Sequence, residues 1–533
     1  MRKIGTIFVV GLLLVGFVFA GGIVTNTNQS ADFIRMMNRN ASTDVDAVYF
    51  NPAGLTCLND GLSFYLSSQT IFQDRIITSD VATLNSDTFN GSTFAPVFPN
   101  FYVAYKTGNL AFGAGLVPIG GGGSAVFDDG LPSFEVPASL LTAGLTAAGI
   151  PTSKYDLDVA FDGSSLYLGG QAVVSYKVND MISVAGGARY FAATNTYKGH
   201  LTDIMINPNY PAAGFTGNMV SAPTFFTTMS GALAAGAAGA TAGAASLQPF
   251  IDAGAGAYTF NQLLAAQMVD QATVNSIITG FGYLGITVDP ATWTPAMAQQ
   301  YALGAAAAYT EKSGAMAANA AATQDIEVDA KQTGSGFAPI FGLYLTPMEG
   351  LDIGLRYEGK AAMTLTNETT VDGTNEMFPD GAETGADMPA MLGVGVAFKA
   401  MPSLRLVADM NYYFNKGVNW DGKEEYLTDG MEMGAGFDFA LSDALQLSAG
   451  FLRTINSGAL KPYHTDLSHT FTTSTIGAGG RYYVNPHLYV SFGVSNTFYD
   501  DLNNSGVDYG SIIGNETYDK TALDFAIGIG YSR

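Results

Sequence analysis

The feature that most constrains the fold of this chain is a series of segments in which large apolar residues alternate with small or polar ones. In residues 351–358, Leu, Ile, Leu and Tyr take every second position, and Asp, Gly, Arg and Glu take the others. Residues 488–495 and 523–531 alternate in the same way. A period of two is typical of a β-strand whose two faces meet different surroundings. Similar segments lie near residues 61–73, 98–107, 109–118, 162–178, 181–199, 334–346, 388–400, 403–416, 430–442, 445–456 and 471–485.

The connections between these segments indicate how the strands are arranged. Short turns, such as 107–109 and 485–487, alternate strictly along the chain with long polar connections, such as 119–161 and 500–518. A β-sandwich also contains alternating strands, but it has no reason to follow this rule. Tight turns at one end and long loops at the other are typical of outer-membrane barrels. We therefore predict an all-β membrane protein, an antiparallel up-and-down β-barrel of about fourteen strands over residues 61–533.

The N-terminus and the composition fit an exported membrane protein. Residues 1–20 combine Arg2 and Lys3 with an apolar run and small residues before position 21, which predicts a signal peptide. No later apolar run is long enough to cross a bilayer as a helix. The net charge of −23 makes nucleic acid an improbable partner. We expect a monomer in the outer membrane of a Gram-negative-type bacterium, in contact with its lipid and inserted by the barrel-assembly machinery.

Residues 21–60 do not follow the strand pattern. Ser30 can cap a short helix that places Phe33, Ile34 and Met37 on one face. Further on, Asn51-Pro52 favours a turn, because proline removes a backbone donor and disfavours helix at the preceding residue. The segment is too small to bury a core alone. We therefore expect it to form a hatch packed inside the lumen of the barrel.

The stretch Phe50-Asn51-Pro52-Ala53-Gly54-Leu55 resembles the Asn-Pro-Ala signature of the FadL/TodX family of outer-membrane transporters for hydrophobic compounds. Residues 388–396 also resemble a proline-then-strand segment of that family. The resemblance implies a fourteen-stranded barrel with an N-terminal hatch. It also implies passive uptake of long-chain fatty acids or aromatic hydrocarbons, by loop capture, binding in a pocket beside the hatch and hatch-gated sideways release. An ordinary Asn-Pro turn remains the alternative for this stretch alone.

Several residues are candidates for these roles. Asn51, Pro52, Ala53 and Gly54 are the candidate hatch and gating residues. Apolar hatch residues and charged lumen residues are candidates for ligand contact, where an arginine would meet an anionic head group such as a carboxylate. The same charges would otherwise pair with one another in a wet lumen. The ligand-contact candidates are Phe33, Ile34, Met37, Phe50, Arg35, Arg39, Arg189 and Arg356. The candidates for a kink in the wall, where proline breaks ladder pairing, are Gly113, Gly115 and Pro118.

Residues 200–333 form a long Ala- and Gly-rich insertion between two strands. The stretches 260–278 and 296–322 have the composition of helices. We predict a partly helical extracellular loop over the mouth of the barrel. A separate soluble domain, disorder of the Ala/Gly tract and a membrane-spanning helix are the alternatives, and the weak apolar character argues against the last.

The sequence contains no motif for a cofactor, a metal or catalysis. The four histidines are scattered without metal-ligand spacing, and no glycine-rich phosphate loop is present. The single cysteine, Cys57, excludes an internal disulfide and is expected to be a small buried residue. We therefore expect a transporter of hydrophobic molecules and no enzyme. The alternatives are a general porin, an adhesive or structural surface barrel, and a lipase built into the barrel wall.

Overall fold

The computed structural model describes residues 30–283, 285–374, 377–456, 463–510 and 512–533. The predicted signal peptide at 1–20 and the first hatch residues, 21–29, lie outside the described residues. The described chain divides into two compact units. One contains residues 137–158 and 202–325, and the other contains the N-terminal hatch and the main sheet.

The main sheet is a closed antiparallel barrel of fourteen strands in the described chain. The last strand pairs with the first, Tyr531 lying opposite Phe64 and Glu516 opposite Ser79, so the sheet has no free edge between them. This architecture confirms the predicted fold. In chain order the strands are β1 (Gly61–Ser79), β2 (Thr88–Thr107), β3 (Leu110–Phe127), β4 (Tyr155–Lys177), β5 (Ile182–Ile206), β6 (Ile326–Met348), β7 (Leu351–Glu358), β8 (Met391–Met401), β9 (Leu404–Tyr413), β10 (Gly430–Ala440), β11 (Leu445–Ile455), β12 (Thr473–Asn485), β13 (Leu488–Tyr499) and β14 (Ile513–Ser532).

The alternation of the sequence becomes the two faces of the wall. Large apolar side chains on the outer face are exposed on the protein itself. The exposed fractions of Leu66, Phe94 and Leu116 are 54%, 60% and 56%. Their neighbours along each strand are buried toward the lumen. Such an apolar outer surface needs lipid contact, because exposed apolar surface of this extent is unfavourable in water.

The strands extend further than the alternation predicts. β1 continues to Ser79 where the pattern ends at 73, and β2 begins at Thr88 where the pattern begins at 98. The expected connection 119–161 contains the end of β3, a helix α3 (Pro132–Ala147) and the start of β4. Ladder hydrogen bonds join backbone groups, so pairing continues past the end of the strict alternation, for example at Asp74–Ser92 and Ile76–Asn90.

Three shorter strands lie on the extended ends of the sheet. Thr364–Asp372 pairs with β6 and with Glu383–Gly385, and Leu502–Asp508 pairs with β14. These residues fall within connections that the sequence pattern indicates as loops, so part of each predicted loop is ladder-paired. The remaining small strands are Asn209–Tyr210, Phe215–Thr216 and Val220–Ser221.

The hatch is a compact, irregular segment inside the barrel unit. It contains helices α1 (Ala31–Ile34) and α2 (Ala47–Phe50) and a 3-10 helix, Pro52–Cys57. The Ser30 hydroxyl accepts the Phe33 N–H at 3.2 Å and caps α1. Its backbone contacts strands on opposite sides of the sheet, for example Ser67 of β1 with Ala31 and Asp409 of β9 with Asn40. A segment that touches the wall in several directions lies within the lumen. Cys57, at its end, is exposed, so the expectation that it is buried is wrong.

The other unit is helical. It contains α4 (Ala222–Asp252), α5 (Phe260–Ala265), α6 (Gln271–Tyr283) and α7 (Pro295–Ala322). The Ala/Gly tract belongs to α4, and a capping box at Thr259 and Gln262 begins α5. Leu247, Phe260 and Val274 are buried together at the centre of this unit. No helix among the described residues is both long and apolar enough to span a membrane.

Candidate functional site

A buried network of charges fixes the N-terminal half of the hatch to the wall. The Asp32 carboxylate accepts two hydrogen bonds from Arg481 of β12, at 2.8 and 2.7 Å, and one from Arg35 at 2.9 Å. Arg35 also pairs with Asp438 of β10. Arg481 reaches a second hatch carboxylate, Asp44, at 2.7 Å. Since all but Asp44 are almost fully buried, each charge depends on its partners.

Arg39, the second hatch arginine proposed to meet a ligand, is enclosed within the hatch itself. It donates to both oxygens of Asp46 at 2.7 Å, to Asp44 at 2.7 Å and to Ser42 at 2.9 Å. These contacts close the loop between α1 and α2. Arg35 and Arg39 therefore hold the hatch together and to the wall, and most of their donors are already engaged.

Arg189 and Arg356, the two wall arginines considered for a ligand, hold the second half of the hatch. Their guanidinium carbons lie 4.6 and 5.2 Å from the centre of the Tyr49 ring in α2. Both pair with Glu358, at 2.8 and 3.1 Å, and Arg356 also donates to the Tyr49 carbonyl. The contact of a buried ring with two cations is favourable because both face its π-electrons. The structure thus places these arginines around the hatch.

The Asn-Pro-Ala stretch forms a joint between the hatch and β6. Asn51 Oδ1 accepts the Ala53 N–H at 3.3 Å, and Asn51 Nδ2 donates to the Leu343 carbonyl at 3.0 Å. The Pro52 carbonyl accepts a hydrogen bond from the Ser175 hydroxyl. A Cβ added at Gly342 would lie 2.6 Å from Asn51 Oδ1, so this wall position requires glycine. Ala53 and Gly54 continue the 3-10 helix and are buried.

The apolar hatch candidates pack inside the largest buried cluster of the barrel unit. The rings of Phe33 and Phe50 stack at 5.7 Å between centroids. Ile34 and Met37 belong to the same cluster, together with wall residues such as Val117. These four side chains fix the hatch by burial.

The wall is interrupted between β2 and β3. The pairing runs from Thr107–Leu110 to Phe101–Leu116 and then resumes only at Ser92–Val126. In the described part of the two strands no pair joins residues 93–100 to 117–125. Pro118, which has no backbone N–H, lies at the start of this interruption, and the β3–β4 register shifts at the same point.

The other two kink candidates lie in the paired part of β3. A Cβ at Gly113 would lie 2.7 Å from Val48 of the hatch, and one at Gly115 would lie 3.2 Å from the same residue. These glycines therefore make room for the hatch. Sequence analysis missed the polar side chains beside the interruption, Gln69, Thr93 and Asn100, which are buried and each have a polar atom without a hydrogen-bond partner among the described residues.

A largely apolar cleft lies in the barrel unit beside the last β5–β6 ladder pairs, Gly199–Val328 to Leu201–Ile326. Its cavity volume is about 140 Å³, within a wider space of about 990 Å³ that opens to solvent. Asp466 and Tyr509 are among the polar residues that line it. The main apolar side chains that line it are Phe134, Phe161, Phe378, Met377, Leu467 and Val328. None of these was predicted, because they come from five separate segments of the chain.

The segment 463–472, between β11 and β12, forms one side of this region. Burial raises the pKa of the Asp466 carboxyl, which accepts the Ser133 N–H at 2.8 Å. Burial also lowers the pKa of His469 to about 3, and its ring stacks on Tyr518 at 4.5 Å. His469 is therefore neutral at pH 7. The described residues contain no group of three His, Cys, Asp or Glu that could hold a metal ion.

Comparison with known proteins identifies the fold. No protein-family model and no curated protein matches the sequence. The structure of a Pseudomonas aeruginosa FadL homologue matches with a TM-score of 0.57 and 13% identity, over 96% of this chain and 100% of that chain. A TodX mutant described as a monoaromatic hydrocarbon channel matches with a TM-score of 0.50 and 15% identity, over 95% and 99%. The chain therefore has the FadL/TodX fold, and the resemblance is confirmed at that level.

Proposed function

We propose that this chain, which has the fold of the FadL homologue and of the TodX channel, carries hydrophobic molecules passively across an outer membrane. The observation that supports this proposal best is the apolar cleft of the barrel unit. A polar or ionic solute would gain no favourable binding free energy from a surface lined by Phe134, Phe161 and Phe378. A hydrophobic molecule would lose its unfavourable contact with water there.

The proposed path leads from the cleft to the interruption in the wall. The molecule is captured in the cleft and enters the lumen above the hatch. The hatch, held by Asp32, Tyr49 and Asn51, keeps ions and polar solutes from passing straight through. The molecule then leaves sideways between β2 and β3, so that an insoluble compound passes into lipid without crossing water.

The location follows from the same surfaces. The apolar outer face of the barrel needs lipid contact, and we propose the outer membrane of a Gram-negative-type bacterium, reached by the signal peptide and the barrel-assembly machinery. We propose that the protein acts as a monomer. It acts without a cofactor and catalyses no reaction. That the helical insertion takes part in capture stays a prediction.

The capture step is tested by mass spectrometry of the lipids that the purified protein carries in a mild detergent. We expect a defined hydrophobic compound close to one per chain. A Phe161→Ser variant, which makes the cleft polar, should lose it, whereas Phe439→Ser on the outer surface should retain it. Recovery of bulk membrane phospholipid alone, together with ion conductance in planar bilayers, would instead indicate a general porin.

Sideways release is tested by closing the interruption reversibly. Asn100 and Val117 would pair next if the β2–β3 ladder continued beyond Phe101–Leu116. We would replace both with cysteine in a Cys57→Ser background and measure uptake of a hydrophobic fluorophore into proteoliposomes. Oxidation should stop uptake and reduction should restore it, while the same pair at Tyr105 and Phe112, within the intact ladder, should have no effect. Unchanged uptake with the closed disulfide would refute this route.

A further inference from the structure

The charged side chains that line the apolar cleft are carboxylates. Asp466 and Asp508 both line it, the first almost fully buried and the second exposed. Among the described lining residues there is no lysine or arginine, and the one histidine, His200, stands opposite Glu327 in the β5–β6 ladder. A cleft lined in this way repels an anionic group and attracts a cationic one, because charges interact strongly where water is partly excluded.

A second buried carboxylate lies near Asp466. Glu516 of β14 is 1% exposed and interacts electrostatically with Asp466. It accepts hydrogen bonds from the hydroxyl groups of Tyr509 and Tyr518, and Asp466 accepts one from the Ser133 N–H at 2.8 Å. All of these donors are neutral, so they satisfy the oxygen atoms without supplying a positive charge. A carboxylate is unfavourable when it is buried without a counter-ion, and burial accordingly raises the pKa of the Asp466 carboxyl.

Two basic residues of the adjoining strands do not pair with these carboxylates. Arg75 of β1 and Lys520 of β14 lie opposite each other in the ladder. Lys520 interacts electrostatically with Asp524, and it is separated from Glu516 by roughly 13 Å along the strand. In the part of the chain that the structure describes, neither Arg75 nor Lys520 forms an ion pair with Asp466 or Glu516. The two carboxylates thus give this side of the cleft a negative charge that no basic side chain among the described residues pairs with.

The acidic side of the cleft adjoins its apolar lining. Phe134 follows Ser133, whose N–H binds Asp466, and its ring meets that of Phe161 edge to face at 5.6 Å between centroids. Phe378 belongs to the same lining. A cation with an apolar body can therefore place its charge beside the carboxylate while its carbon chain stays out of water. A small inorganic cation would gain only the first of these contacts, and an anion would be repelled.

We propose that the cleft binds a hydrophobic amine, with the ammonium group beside Asp466 and the carbon chain against the phenylalanine rings. This inference rests on the proposed function and specifies its substrate class, since it selects an alkylammonium compound over a neutral hydrocarbon or an acid. The ammonium N–H groups donate charge-assisted hydrogen bonds to the carboxylate, and such bonds are stronger than those between neutral groups. The charge of Glu516 adds to the attraction.

The test is competitive binding to the purified full-length protein in a neutral detergent. Equimolar hexadecan-1-amine and hexadecan-1-ol, matched in chain length, are equilibrated with the protein at about pH 8.5, where an alkylammonium group keeps its proton. Mass spectrometry measures the bound ratio, which we expect to favour the amine. Loss of one charge-assisted hydrogen bond at a buried site corresponds to about 10- to 100-fold in affinity, so Asp466→Asn should lower the amine-to-alcohol ratio by about that factor. Glu516→Gln, which removes a charge that does not line the cleft, should lower it less. Asp500→Asn removes a charge of the same sign from an exposed pair with Arg453 and should leave it unchanged.

The outcomes separate the two proposals. Equal binding of amine and alcohol, unaffected by Asp466→Asn, would overturn this inference and leave the proposed function standing. Binding of neither would overturn the proposed function and the inference together. Preferential binding of hexadecanoic acid, added in a third arm, would overturn the assignment of a cation. An equal loss of preference in Asp500→Asn would assign the effect to the overall negative charge of the protein and overturn the role of the cleft. Heat-dependent gel mobility reports folding of each variant, and the preference of the unmodified protein tests the inference even where a variant does not fold.

Discussion

The replacement Asp32→Asn addresses how the hatch is held in the barrel. The side chain keeps its size but loses the charge that Arg481 and Arg35 contact at 2.7–2.9 Å. The guanidinium groups of Arg481 and Arg35 are then left close together at a buried site, since only about 1% of the Asp32 surface is exposed. The wall itself is unchanged, since Asp32 belongs to the hatch and contributes to no ladder pair. We expect the barrel to fold and the hatch to undock.

The magnitude follows from the burial and the remaining contacts. Removal of one partner from a buried ion pair costs about 3–5 kcal/mol. Arg35 keeps Asp438 and Arg481 keeps Asp44, so we expect the lower end, about 3 kcal/mol. At about 1.4 kcal/mol per factor of ten, the undocked population would rise by about 150-fold.

The assay is hydrogen exchange of residues 30–57 in detergent, with ion conductance in planar bilayers as a second measurement. Amides of the hatch should exchange faster by about the factor above, and conductance should rise, while amides of β10 and β12 keep their protection. Asp500→Asn removes a partner of Arg453 in an exposed pair and should change neither measurement, since such pairs contribute about 0–1 kcal/mol.

A double replacement, Asp32→Asn with Arg481→Gln, distinguishes the ion pair from general loss of packing. Because it removes the unpaired cation, it should recover part of the protection lost in the single variant. Unaltered exchange and conductance in Asp32→Asn would refute the view that this network holds the hatch.

Three other expected results concern the Asn-Pro-Ala joint and the segment 463–472. Asn51→Ala removes the hydrogen bonds to Leu343 and Ala53 and should impair uptake of a hydrophobic fluorophore into proteoliposomes without unfolding the barrel; unchanged uptake would count against a gating role. Gly342→Ala places a methyl group against Asn51 Oδ1 and should loosen the hatch, which would appear as faster hydrogen exchange of residues 47–57. Gly304→Ala, at a position with no other atom within 4 Å of the added Cβ, should leave this exchange unchanged. Burial raises the pKa of Asp466 above its usual 3.8. The amides of residues 463–472 should therefore be most protected from exchange below pH 3.8 and should lose protection as the pH rises through the raised pKa. Asp466→Asn should remove this dependence of the protection factors of residues 463–472, and a dependence that persists would assign it to another group.

The Asn-Pro-Ala stretch and the strand pattern show what local sequence determines. Alternation with period two fixes which face of each strand meets lipid, whatever its neighbours, and the alternation of short and long connections fixes antiparallel order. These two properties were enough to predict the fourteen-stranded barrel. The turn at Asn51-Pro52 was also predictable, because proline restricts the backbone of its neighbour without help from distant residues.

The partners of the charged residues could not be obtained in this way. Arg189 and Arg356 carry the same local signal as Arg75, an inward charge on a strand, yet the first two enclose Tyr49 and the third faces Lys520. Which of them contacts the hatch depends on where the hatch lies in the lumen. The lengths of the strands were likewise underestimated, because ladder pairing joins backbone groups and continues where the strict alternation of side chains has ended.

The sequence by itself determined the class of fold, the facing of each strand and the local turn of the hatch, since each depends on residues close together in the chain. Only the tertiary structure decided the cleft, the interruption between β2 and β3, and the pair Arg75 and Lys520. Closure of the barrel brings the first strand beside the last. Contacts between residues so far apart in sequence depend on register around the whole sheet, which no local pattern encodes.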